Sequence, residues 1–377
     1  MDIGLYIHIP FCRQKCSYCD FPSYSNMEEL YGSYTAALRR EIAAQGILYA
    51  DRRVVSVYMG GGTPTVLPLQ QTLMIINDVK ERFSLAEDVE WTMEANPGTV
   101  TAASLYALLA AGINRISFGI QSFDDGILRR LGRIHTAEEG REAVNLARMA
   151  GFTNISLDLM FDLPGQSVDV WRDTLETAVS LAPAHISAYG LKIEEGTDFA
   201  VWLNRGLIWL PPDEEQEAMY DLTTRFLPQQ GFGRYEISNY AREGRKCLHN
   251  CRYWQSKPYV GLGAAAHSYY EGVRTANTAD VRQYIEMIQQ GLSPADHTET
   301  TDNRTAMAEY CFLALRTADG INLTDFARRF RADFNQCFGK QVQILTTQGL
   351  IEVFPDAVRL SELGMKYGNQ VFCSFLP

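Results

Sequence analysis

The first half of the chain repeats one rhythm of apolar and polar positions. Short runs that are apolar or alternate with polar residues, and that are rich in β-branched and aromatic side chains, fall at 3–9, 54–59, 89–93, 114–118, 155–160 and 184–189. Between them, apolar residues recur at three- and four-residue spacing over 34–44, 69–83, 137–149 and 168–181, which predicts amphipathic helices. Thr101 is placed to cap a helix over 102–109, and Gly112 to stop it. Strands that alternate with helices pair in parallel, because each helix is long enough to carry the chain back across the sheet. Six such units predict an α/β fold of the partial (β/α)6, TIM-like barrel type, since a closed barrel needs eight. A doubly wound open sheet has the same periodicity and remains the alternative.

After about Gly196 the rhythm breaks. Residues 199–206 and 213–230 keep helical spacing, and 231–240 reads as extended. Residues 246–254 are dense in Cys, His and aromatics, and 258–269 in Gly and Ala. From Thr301 a different pattern starts: helices over 306–316, 323–331 and 341–348, then strands over 351–354 and 357–360. Helices followed by a β-hairpin predict a winged-helix-like α+β module. The expected division is 1–196 for the barrel, 197–300 for an extension of it, and 301–377 for the C-terminal module. Winged helices often bind DNA, but residues 301–377 carry eight Lys/Arg against eight Asp/Glu, and the whole chain is at −11. An acidic surface repels phosphate backbones, so no nucleic-acid partner is expected and the module is assigned to packing or docking.

A hydrophobic content of 46% is enough to fill a core. No apolar run approaches the ~20 residues of a membrane helix, so no integral membrane segment is expected. Residues 1–8 lack the basic start and small-residue cleavage site of a signal peptide. The expected location is the cytoplasm.

The eight cysteines change the picture. Cys12, Cys16 and Cys19 lie within eight residues directly after the first strand, Cys247 and Cys251 within five, and Cys311, Cys337 and Cys373 are scattered among apolar residues as expected of core thiols. Three closely spaced thiolates suit one face of an iron–sulfur cubane and leave its fourth iron open to a small ligand. A zinc site with His8 as fourth ligand is the alternative that spacing alone leaves standing.

The later strands also end in polar groups, where a barrel of this kind keeps its chemistry. The second is followed by Gly60-Gly61-Gly62-Thr63-Pro64-Thr65, whose glycines let backbone approach a ligand and expose N–H groups. The third ends at Glu94 and the fourth at Gln121, with Arg133 twelve residues on, and the fifth carries Asp158 among apolar neighbours. Singly, each is more often a cap or a structural ion pair. As a ring they offer carboxylates, donors and a cation to an amino-acid nucleoside.

These residues bear a resemblance. The stretch Tyr6-Ile7-His8-Ile9-Pro10-Phe11-Cys12, with Cys16, Tyr18, Cys19 and the Gly-Gly-Gly-Thr-Pro-Thr run, resembles the radical S-adenosylmethionine (radical SAM) superfamily. More narrowly it is similar to the branch that holds oxygen-independent coproporphyrinogen III oxidases and HemW-type heme chaperones, over nearly the whole chain. The resemblance implies a [4Fe–4S] cluster on Cys12, Cys16 and Cys19, and S-adenosylmethionine in contact with Tyr6, Gly61 and Glu94. It places Gly62, Thr63, Gln121, Arg133 and Asp158 on positions that contact the nucleotide. The oxidases have a further cysteine two residues after the third, where this chain has Phe21, and a long extension before the motif, where this chain has its first cysteine at 12. Both features match the chaperones.

His249-Asn250-Cys251-Arg252-Tyr253-Trp254 matches the HNxxYW signature of the chaperone branch. Imidazole, phenol and thiol are all axial ligands of heme, and indole stacks on porphyrin. His249, Tyr253 and Trp254 are therefore candidate heme contacts. The competing reading of the residues alone is a buried histidine hydrogen-bonded among core aromatics. The expected function is transfer of heme to an acceptor protein. Oxidative decarboxylation of coproporphyrinogen is the alternative, so whether the chain is an enzyme stays open.

Overall fold

The computed structural model describes residues 1–376. Six strands, β1 (Asp2–Ile9), β2 (Arg53–Gly61), β3 (Ser84–Ala95), β4 (Arg115–Gln121), β5 (Asn154–Phe161) and β6 (His185–Gly190), alternate with helices. These are α1 (Tyr31–Leu48), α2 (Leu69–Arg82), α3 (Ala102–Ala110), α4 (Asp125–Arg130), α5 (Ala137–Ala150) and α6 (Val168–Ser180). The strands lie side by side in sequence order, every neighbouring pair parallel. An order that never turns back has no switch point, so the sheet is the partial barrel and not the doubly wound alternative. The expected cap holds: Thr101 Oγ1 accepts from Ser104 N–H while Ser104 Oγ accepts from Thr101 N–H, and Gly112 follows α3 at φ +100°.

The alternation along each strand decides what fills the barrel. On β4, Ile116, Phe118 and Ile120 belong to the main apolar core, while Arg115, Ser117 and Gln121 take the other face. On β5 the same split separates Ile155, Leu157 and Leu159 from Ser156 and Asp158, and on β6 Ile186 and Ala188 from His185 and Ser187. Period 2 sends alternate side chains to opposite faces. The helix-facing side is thus apolar and the lumen side polar, the reverse of an apolar-filled barrel.

Chain beyond β6 extends the sheet at both edges. Helices α7 (Asp198–Asn204) and α8 (Asp213–Gln229) precede two short strands, β7 (Gly233–Arg234) and β8 (Asn239–Ala241), and β8 adds antiparallel to β6. Helix α9 (Leu248–Trp254) follows. Then β9 (Tyr259–Leu262) adds parallel to β1, and β10 (His267–Tyr270), β11 (Val273–Asn277) and, after α10 (Val281–Gln289), β12 (Ala295–Thr300) continue antiparallel. The extended run expected over 231–240 is only the two short pieces β7 and β8. Nothing in the sequence pattern had signalled β11 or β12.

The C-terminal module contains α11 (Asn303–Leu315), β13 (Ile321–Asn322), α12 (Leu323–Phe330), α13 (Phe334–Thr347), β14 (Ile351–Val353) and β15 (Ala357–Leu360), its three strands forming an antiparallel sheet. Helix α13 starts at Phe334 rather than at 341, because Phe334 and Phe338 extend the buried stripe of Val342 and Leu345 by two turns. Residues between Tyr310 and Phe375 form an apolar cluster of their own. Among the described residues no helix is long and apolar enough to cross a membrane.

Candidate functional site

The cysteine loop leaves β1 at Ile9 and is pinned before it turns. Cys12 N–H donates to Tyr24 O at 2.9 Å, Tyr24 N–H to Pro10 O at 2.8 Å, and Ser17 N–H to Leu131 O at 3.1 Å. Cys12, Cys16 and Cys19 are unpaired, half-buried, and line one cavity of about 980 Å³. That volume lies at the upper end for ligand sites. Arg133 Nη1 donates to Cys16 Sγ at 3.3 Å, and Thr63 Oγ1 lies 3.5 Å from Cys12 Sγ. Burial pushes the Cys12 and Cys19 thiols up from their ordinary value.

Among the described residues no three His, Cys, Asp or Glu side chains converge on one metal ion. His8, the fourth ligand a zinc site would need, has Nδ1 2.9 Å from Tyr6 Oη and Nε2 2.9 Å from Pro22 O. Its ring is spent. Three thiols on one loop that line one cavity suit a cubane, which takes each thiolate on a different iron.

The glycine run works differently from the expectation. Its N–H groups are used inside the protein: Gly61 N–H donates to Glu94 Oε2 at 3.1 Å, Gly62 N–H to Ile9 O at 2.9 Å and Thr63 N–H to Phe11 O at 2.8 Å. The glycines are there for closeness to β1 and to the start of the cysteine loop. A Cβ on Gly61, at φ +104°, would lie 2.3 Å from the His8 ring, and one on Gly62 would lie 2.6 Å from Phe11 O. No side chain fits either gap.

Glu94, at the end of β3, is half-buried in the cavity wall. Tyr58 Oη donates to its Oε1 at 2.7 Å. Burial is the main cause that lifts its carboxyl to about 7, with Tyr58 opposing and Asp158 adding to the rise. No salt bridge to a cation offsets that rise among the described residues. Asp158 accepts twice from Ser117 Oγ, at 3.0 and 3.1 Å, and burial raises it too. Arg133 also bonds Asn96 Oδ1 and Gly119 O, and Asn96 Nδ2 donates to Thr63 Oγ1 at 2.8 Å. Gln121 holds φ +66° at the end of β4, a conformation a non-glycine residue keeps only where its surroundings impose it. Tyr6, Tyr18, Gly61, Gly62, Thr63, Glu94, Gln121, Arg133 and Asp158 line the same cavity as the three cysteines. Tyr58 and Asn96 are partners the sequence did not single out. Each sits two residues from a lumen-facing neighbour on its strand or just beyond its end, and strand period was the signal that pointed to them.

The HNxxYW segment is α9, and it plugs the lower lumen. Glu90 of β3 accepts from His249 N–H on Oε1 and from Leu248 N–H on Oε2, both at 3.0 Å, which satisfies the helix N-terminus. His249 is fully buried. Its Nδ1 lies 3.0 Å from Ser56 Oγ and its Nε2 2.8 Å from Tyr253 Oη. Burial, then the Arg252 and Arg115 cations, push this imidazole down to about 3. Both nitrogens are engaged and the ring does not line the cavity, so His249 is not presented as a heme ligand in this conformation. Its hydrogen bonds are those of a core histidine satisfied within the protein. Tyr253 and Trp254 do line the cavity.

From there the cavity continues as a slot that the sequence did not announce. Tyr259, His267, Tyr269 and Arg274 on the β9–β11 face form one wall, and Phe312 and Leu313 of α11 with Phe330 of α12 the other. The strands responsible, β10 and β11, are short and carry too few alternating residues to register as a pattern.

Comparison with known proteins locates these features in a wider set. The model of the radical SAM superfamily matches residues 6–178, and that of the HemN C-terminal domain residues 301–366. The chain is 36% identical to the heme chaperone HemW of Bacillus subtilis, covering 98% of each protein, and 39% identical to that of Escherichia coli over 75% of this chain and 76% of the other. It is 33% identical to the mitochondrial radical S-adenosyl methionine domain-containing protein 1 of Danio rerio, over 93% and 81%. The solved structure of coproporphyrinogen III oxidase from Escherichia coli, a radical SAM enzyme, superposes with a TM-score of 0.88 at 22% identity, covering 99% of this chain and 90% of that one. At that identity the likeness shows the fold.

Proposed function

The chain belongs to the radical SAM superfamily and, within it, to the family of the HemW proteins, and on that footing we propose that it is a heme chaperone, binding heme and passing it to an acceptor protein in the cytoplasm. The superfamily implies a [4Fe–4S] cluster and S-adenosylmethionine, and the site fits both. Three unpaired thiols on one loop suit the cluster. Glu94 suits the ligand's ammonium, and Tyr6, Tyr18, Gly61, Gly62, Thr63, Gln121, Arg133 and Asp158 supply the rest of the lining. When bound, such a cluster supplies one electron to the sulfonium. The protein's own residues orient the ligand and keep water away from it.

The observation that carries the chaperone reading over the oxidase is Phe21, which stands where the oxidase pattern has a cysteine. Its ring is 62% exposed at the mouth of the cavity, and its carbonyl accepts from Lys15 Nζ at 3.1 Å. Within this reading residues 1–196 hold the cofactors, 197–300 build the lumen plug and the slot wall, and 301–377 close the slot. The separate apolar cluster between Tyr310 and Phe375 supports the last boundary.

The test is a pair of anaerobic assays on cluster-loaded protein. Hemin is expected to bind at one equivalent, and coproporphyrinogen III to remain unconverted. Steady formation of protoporphyrinogen IX overturns the chaperone reading and installs the oxidase.

A further inference from the structure

The protein has six histidines, and five are accounted for. His8, His185 and His249 have both ring nitrogens in hydrogen bonds. His135 is buried behind β4, its Nε2 3.3 Å from Ile120 O. His297 lies on β12, outside the cavity. His267 alone lines the cavity with an exposed imidazole that makes no hydrogen bond among the described residues.

Register fixes what surrounds it. His267 and Tyr269 are two apart on β10 and so share a face, and Tyr269 lies opposite Tyr259 on β9 and Arg274 on β11. Arg274 is held by both oxygens of Glu309 on α11, each at 2.6 Å, which ties the two walls together. Phe312 and Phe330 face this sheet across the slot. A slot with aromatic side chains on both walls suits a flat macrocycle. At the α9 end, Trp254 Nε1 and Ser256 Oγ are buried donors without partners, and both residues line the cavity. A buried donor left unmade is costly, so it marks a place for an acceptor. Arg329 reaches the same place, with Nη2 2.8 Å from Ser256 O and, among the described residues, no carboxylate paired to it.

Resting on the heme reading above, we propose that heme enters this slot with His267 as axial ligand to its iron, while Trp254, Ser256 and Arg329 receive its propionates. The bond formed runs from a neutral ring nitrogen to iron, displaces a water or other weak axial ligand, and moves no electron. His267, not His249, is then the ligating histidine.

Hemin titration of the cluster-loaded protein, followed by difference absorption in the Soret region, tests this. Wild type is expected to give the band of imidazole-ligated heme. His267→Ala should lose that band and bind at least about tenfold more weakly, a change of one RT ln 10 unit, and added free imidazole should restore the band. His297→Ala should match wild type. Trp254→Phe and Ser256→Ala should weaken binding with an unshifted Soret band. A wild-type spectrum and affinity in His267→Ala, or a shifted band in Ser256→Ala, overturns the assignment while leaving heme binding intact. Failure of wild type to take up hemin defeats the heme reading itself, and this inference with it.

Discussion

Two polar regions lie one above the other in the same barrel lumen, and they differ in whether their groups are spent. In the lower one, Ser56, Glu90, Ser156, His185 and His249 are buried and bonded to one another, to Tyr235 and Tyr253, or to the first N–H groups of α9. In the upper one, three thiols, a lifted Glu94 carboxyl and a Gln121 held at positive φ face open volume. Glu90 and Glu94 come from alternate inward-facing positions of the same strand, β3, while the thiols stand on the loop after β1 and His249 on α9. The lower set closes its hydrogen bonds within the packed barrel, whereas the upper set lines the cavity with unpaired thiols and a carboxyl that its neighbours hold at the wall. A histidine in a signature motif can therefore belong to the scaffold, and an isolated one on a short strand outside the barrel can be the ligand.

The strongest way to break this contrast is at the cluster. Cys16→Ala is expected to abolish the iron content of reconstituted protein, from about four irons per chain to near none, with no loss of fold by circular dichroism. Iron retention in that variant would remove the cysteine loop from the site.

Next in size is His249→Ala. It deletes a fully buried ring and strands the hydroxyls of Ser56 and Tyr253, so urea unfolding should show a loss of about 2–4 kcal/mol. His267→Ala, at an exposed position, should leave the unfolding midpoint unchanged. Equal stability of the two variants would dissolve the distinction between spent and unspent histidines.

Asp158→Ala should weaken S-adenosylmethionine binding by about tenfold, on the order of 1.4 kcal/mol, at normal iron content, read by equilibrium dialysis. Unchanged affinity would return Asp158 to the scaffold.

The smallest effect is a pH dependence. The Glu94 carboxyl sits at about 7 against an ordinary value of 4.5. A carboxyl raised on folding contributes stability that is complete below its unfolded value and is lost as pH rises through its folded one. The ligand-free protein should therefore lose stability between about pH 4.5 and 7 through this group, whereas affinity for a cationic ligand should rise over the same window. In Glu94→Gln both slopes should flatten, by comparison of thermal midpoints and binding constants with wild type. A slope that persists would assign it to another group.

Sequence alone determined what local interactions determine. Spacing gave the six strand–helix units, the Thr101 cap, the helices of the C-terminal module and the adjacency of Cys12, Cys16 and Cys19, because each is set by neighbours within a few turns. It also marked Glu94, Gln121 and Asp158 as polar groups at strand ends. Tertiary structure decided everything that depends on which surfaces meet. Sequential parallel order made the sheet a partial barrel, and only then did the polar alternation become a lumen. The close approach of Gly61 to His8, with a virtual Cβ 2.3 Å away, joins strands 53 residues apart. Glu90 meets α9 across more than 150 residues of chain, which closes the bonds of His249. The slot exists because β9 pairs with β1 and brings β10 and its unbonded His267 to the cavity. Whether a donor is satisfied is a property of the packed molecule, and no spacing rule along the chain encodes it.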